Sequence, residues 1–121
     1  MKLTRLFATA LLIGAGWSTS ALAECVYPKT PTSSPNGNTA TEAEMLAGKD
    51  AFMKYQTEVN TYLECLDKEA DAKAAEVADN EKAVKQIKDI AAKKHNAAID
   101  ELQSRADEFN QQLRAYKKKK G

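Results

Sequence analysis

The sequence predicts an all-α fold: an antiparallel two-helix hairpin, coiled-coil-like, with an extended Pro-rich N-terminal arm stapled to the first helix. Three observations predict it. No proline follows Pro35 and no glycine lies between Gly48 and Gly121, while Ala, Lys and Glu dominate the long stretch between, a strongly helical composition. Two apolar stripes recur at helical spacing and face each other when the chain is folded near Asn80. Two cysteines, Cys25 and Cys65, sit where an arm could double back onto the first helix.

Residues 1–23 read as an address. Lys2 and Arg5 form a basic start, Leu6 to Ile13 is mainly apolar, and Ala21-Leu22-Ala23 is a small-x-small cleavage site. This is the anatomy of a cleaved secretory signal peptide, with cleavage after Ala23 and export to the periplasm or beyond. An uncleaved anchor is the rival reading. Against it, the apolar run is short and fades into Gly14, Gly16, Ser18 and Ser20. Glu24 before Cys25 is not the small residue that lipidation requires, so the reading is not a lipoprotein, and no transmembrane segment is expected after cleavage.

The remaining 98 residues suit one small domain with a single packed seam. They carry 16 bases against 17 acids, with His95 neutral. That balance argues against a nucleic-acid binder. Two cysteines in an exported chain most simply pair with each other. An intermolecular bridge and a metal thiolate pair are the alternatives, but a zinc site wants four ligands and the lone histidine is thirty residues from Cys65.

The arm, residues 24–40, is kept extended by Pro28, Pro31 and Pro35 and turns at Asn36-Gly37. Sixteen steps from Cys25 to Thr41 reach about 50 Å as polyproline, and Cys65 lies about 35 Å along a helix that starts near Glu42. The arm therefore reaches Cys65 after turning back. Pro28 and Pro31 also match a PxxP ligand, although a stiff strap explains them as well.

Helix 1 is expected over about 42–77. Thr41 and Glu44 form a capping box at its start. Its apolar side is Met45, Phe52, Tyr55, Val59, Tyr62 and Leu66. The break falls at Ala78-Asp79-Asn80-Glu81, where Asn suits a helix end and Asp a following N-cap. Helix 2 is expected over about 81–118. Its stripe is Val84, Ile87, Ala91, His95, Ile99, Leu102, Ala106, Phe109, Leu113 and Tyr116. Residue pairs whose numbers sum to 161 set large groups against small ones; Phe52 then meets Phe109, Gly48 meets Leu113 and Leu66 meets His95. A seven-residue shift fits nearly as well.

Charge favours this pairing. Helix 1 carries nine acids and four bases, net −5, and residues 81–120 carry six acids and eleven bases, net +5. Opposite fields favour laying one on the other. An antiparallel dimer of one unbroken helix offers the same contacts between chains.

The mature sequence resembles a family of small exported proteobacterial proteins. The residues that carry the likeness are Cys25-x-x-Pro28, Pro31, Pro35-x-Gly37, Glu44-Met45, Tyr55 and Tyr62-Leu63-Glu64-Cys65-Leu66. His95-Asn96-Ala97-Ala98 and Phe109 through Lys117 complete it. The resemblance implies the architecture and brings no activity, cofactor or mechanism with it.

Nothing in the chain demands a chemistry, so the expected class is non-enzymatic, with no catalytic residues, cofactor or metal. An enzyme reading rests on His95 alone, and a seam-edge histidine packed against Leu66 and the disulfide is the simpler account. The densest specific-looking stretch is residues 109–116. Its polar side, Asn110, Gln112 and Arg114, is the candidate interaction surface, together with Lys117, Lys118, Lys119 and Lys120. The lysines suit either an anionic envelope surface or the negative end of helix 2. The expected function is a small periplasmic protein-binding or scaffold module. Its partner is an envelope protein, a cell-envelope component or a second copy forming a four-helix bundle. The alternative is an envelope-stress or chaperone-like protein that holds unfolded clients against exposed apolar rims at Leu46, Leu63 and Ile90.

Overall fold

The computed structural model describes residues 24–121; the signal peptide read over residues 1–23 lies outside the described residues. Two helices, α1 (Glu42–Glu76) and α2 (Glu81–Lys120), pack on each other with no strand among the described residues. An extended arm over residues 24–36 precedes them. Each helix starts where a side chain can satisfy free backbone donors. At α1 the Thr41 hydroxyl accepts from the Glu44 N–H at 3.2 Å, and the Glu44 carboxylate accepts from the Thr41 N–H at 2.7 Å. The Thr41 N–H, and after it the Thr41 hydroxyl, which also donates to this carboxylate at 3.1 Å, hold the Glu44 carboxyl below its ordinary range. At α2 the N-cap is Asn80, not Asp79: its Oδ1 accepts from the Ala83 N–H at 3.0 Å. Asn80 thus starts the second helix and does not end the first through a left-handed turn, since no non-glycine residue has positive φ among the described residues.

The register is the one whose pairs sum to 161. Phe52 and Phe109 stack with ring centroids 6.4 Å apart and planes inclined by 3°. A seven-residue shift would separate them by about 10 Å along the axis. The core is a cluster of Tyr55, Val59, Tyr62, Leu63, Leu66 and Ala98, edged by Cys25, Ile99 and Leu102. Leu63 is buried, 9% exposed, and so corrects the expectation of an exposed rim there; Leu46 and Ile90 are exposed as expected, at 54% and 55%. Leu63 stands beside Tyr62 and four residues after Val59, which widens the buried stripe beyond a single row.

Cys25 and Cys65 form a disulfide, with their Cα atoms 5.7 Å apart. The arm does more than follow α1. It lies in the groove between both helices, and two glycines let it approach. Gly37 is buried against α2, where an added Cβ would fall directly on the Gln112 carbonyl oxygen and 2.8 Å from the Tyr116 nitrogen. Gly48 leaves room for the Pro35 ring, 2.6 Å from where a Cβ would stand, and so seats the arm as well as facing α2. The turn itself is closed by Asn36, whose carbonyl accepts from Thr39 and Ala40 at 3.0 and 2.7 Å. Gly37→Ala is expected to cost about 2–3 kcal/mol, because backbone on both sides must move. Urea unfolding measures it, and Gly121→Ala, at the C-terminal helix end, serves as the control that should change little.

Candidate functional site

The functional surface is best built from the groove, because the arm shows what the groove can hold. On α1 its wall runs through Gly48, Tyr55, Tyr62 and Cys65; on α2 it runs through Ala98, Glu101, Arg105, Glu108 and Gln112. The α1 residues recur seven and three apart and the α2 residues three and four apart, so each set forms one row along its helix. Arg105 binds Glu101 at 2.9 Å and Glu108 at 3.0 Å, which fixes both carboxylates beside the arm. Glu108 then accepts from the Ser34 N–H at 3.1 Å, and the Gln112 side chain accepts from the Gly37 N–H at 2.9 Å. An extended segment cannot satisfy its own backbone donors, and here α2 side chains do so.

Nearer the disulfide the contact is aromatic. The Tyr27 ring meets the Tyr62 ring edge-on, centroids 5.2 Å apart and planes at 81°. The Tyr27 hydroxyl lies 2.7 Å from that of Tyr55, which is only 1% exposed. Desolvation first, and then the hydrogen bond to Tyr55 and the nearby Glu101 charge, pushes the Tyr27 phenol well above its ordinary value of 10.0. The phenol is thus held protonated by the fold. The stability it confers is fully present below that ordinary value and is lost as pH rises from there through the raised folded value. Thermal unfolding followed from neutral pH to above pH 10 should show the arm loosening as the Tyr27 phenolate forms. Tyr27→Phe should flatten that dependence.

The sequence-predicted interaction residues do not share one role. Gln112 faces the arm and clamps it, so it serves the fold. Lys119 donates to the Ala40 carbonyl at 2.8 Å and Lys120 binds Glu42 at 3.1 Å, both over the Tyr116 ring. These two lysines tie the end of α2 to the start of α1. Asn110, Arg114, Lys117 and Lys118 are exposed. His95 is half-buried and lines a shallow depression with Asp67, Asp71, Lys88 and Asn96. By helical position this depression lies on the face away from the arm, so His95 does not sit against the disulfide. No group of three or more His, Cys, Asp or Glu side chains among the described residues is arranged to hold a metal ion. No helix among them is long and apolar enough to cross a membrane.

Sequence reasoning missed the part of the groove that the arm leaves open. Beyond Cys65 the same two rows continue as Leu66, Glu69, Ala70 and Lys73 on α1 and Ile87, Ile90, Ala91 and Lys94 on α2, and together they line an open depression. Glu69 at its mouth binds Lys73, which does most to hold its carboxyl below the ordinary range; the Cys25 N–H and the Lys94 charge act in the same direction. The signal that could have found it is Ile90, off the seam stripe yet one turn from Ile87 and Lys94.

Fold and surface together define the class: a helical hairpin strapped by an N-terminal arm through one disulfide. Compared with protein-family models, curated proteins and solved structures, the chain matches none.

Proposed function

We propose that the protein is a non-enzymatic binding or scaffold module that works in the periplasm, recognising an envelope protein through a helix face. One observation carries the reading: burial is lopsided. Seven residues of α1 are buried, but only Ala98 of α2 is. The whole apolar row of α2, from Val84 to Tyr116, stays half-buried. A hairpin with one open helix is an incomplete core, and two helices alone are marginal. The disulfide fits an oxidising compartment, and the resemblance to small exported proteobacterial proteins agrees with export.

A chaperone-like role is the second reading. Leu46, Met53 and Ile90 favour it, each more than half exposed. The two are separated by what is captured. Crosslinking followed by pull-down from periplasm should return one discrete partner for a scaffold and a spread of unfolded clients for a chaperone. A protein that sediments as a monomer and captures nothing contradicts both.

A further inference from the structure

We propose that the uncovered stretch of the interhelical groove takes an extended segment of a partner polypeptide, an apolar side chain set beside an acidic one. The inference rests on the reading of the protein as a binding module and narrows it to one place.

The argument is continuity. The arm already shows how this groove receives an extended chain, with an aromatic ring set between the helices and backbone donors met by α2 side chains. That interface stops at Cys25, but its two walls do not. Ala70 and Ala91 are small and give the open stretch a floor; Leu66, Ile87 and Ile90 give it apolar sides. Ile90, at the side of this open stretch, is 55% exposed.

The arm's own conformation selects the occupant. It is an extended segment, and it already fills the adjoining stretch of the same groove. The open stretch runs from Cys65 to Lys73, about 12 Å of helix rise, which matches about four extended residues. The rim selects charge. Lys73 and Lys94 flank a single anion, Glu69, which is already bound to Lys73. A net positive rim favours an acidic residue next to the apolar one.

The test uses the intact disulfide-bonded protein and, as probe, reduced and carboxymethylated α-lactalbumin, a polypeptide that stays unfolded, acidic and partly apolar. Amide chemical shifts should move at Ala70, Ile87, Ile90, Ala91 and Lys94. Ile90→Gln changes an exposed residue without adding charge and should leave the melting temperature alone, yet weaken binding by about tenfold, as loss of one buried aliphatic group implies. Ala91→Leu, which raises the floor, should weaken it too. The proposal is overturned by absence of binding, by shifts confined to the Asp67 and Asn96 side, or by Ile90→Gln binding as the parent does. Concentration-dependent shifts at the same residues without probe assign the groove to a second copy and also overturn it. If the Ile90→Gln variant still captures the parent's periplasmic partner, the groove is wrong and the module reading survives; if neither captures one, the module reading itself falls.

Discussion

Breaking the Cys25–Cys65 bridge is expected to lower stability by about 4 kcal/mol. The bridge closes a loop with a sequence separation of 40. Freeing that loop restores chain entropy to the unfolded state, and for this loop length the effect is near the stated size. For a chain this small the loss corresponds to a fall in melting temperature of about 20 °C. The double variant Cys25→Ser with Cys65→Ser and the parent in excess dithiol should agree. The arm is then held by Tyr27, the Ser34 and Gly37 backbone bonds, the Pro35 contact and the Lys119 bond to the Ala40 carbonyl. Helical circular dichroism should largely persist at low temperature, while the near-ultraviolet tyrosine signal weakens as Tyr27 leaves Tyr62. A melting temperature that does not move on reduction would contradict the strap.

Tyr55→Ala is the second large effect, about 3–5 kcal/mol, as for a large aromatic side chain deleted from a packed core. Tyr55 is 1% exposed and sits where α1, α2 and the arm meet. The deletion leaves a cavity and removes the hydroxyl that meets Tyr27. Tyr55→Phe isolates the second part and should cost about 1 kcal/mol, the usual worth of one such bond. Urea unfolding of the pair separates packing from hydrogen bonding. Equal losses in the two variants would mean that the ring itself contributes little.

What was legible in the residues was what local rules decide. The capping box at Thr41 and Glu44 marks the start of α1 in the sequence and closes there in the structure. The facing stripes offered the pairing of Phe52 with Phe109 beside one shifted by seven residues, because a helix keeps its period over many turns, and the structure takes the first. The disulfide followed from two cysteines and an arm long enough to return. What was not legible depended on the arm as a third layer. Ala98 is small and lies off the stripe, yet it is buried in the cluster that Cys25 of the arm helps to close. Gln112 looks like a solvent-facing recognition residue until Gly37 is seen beside it. Gly37 reads as a turn former, whereas its closest demand is for space against the Gln112 backbone. Pairwise helix reasoning contains no term for a strand of polypeptide in the groove, so each of these positions was assigned to the wrong neighbour or to none.

The same point bears on function. The groove is an intramolecular binding site already partly filled, and α2 supplies the side chains that accept from the arm's backbone. Its row of Arg105, Glu108 and Gln112 satisfies a backbone that has no secondary structure of its own. A module built to bind extended polypeptide would use the same means.

The central claim is that one chain's own arm occupies the groove of its own hairpin. Nuclear Overhauser contacts in a sample mixing labelled and unlabelled protein test it most directly. The account predicts contacts from the Tyr27 ring to the Tyr62 ring and from the Gly37 amide to the Gln112 side chain, all within one molecule. Contacts that cross between molecules, or an arm showing none to α2, would contradict it.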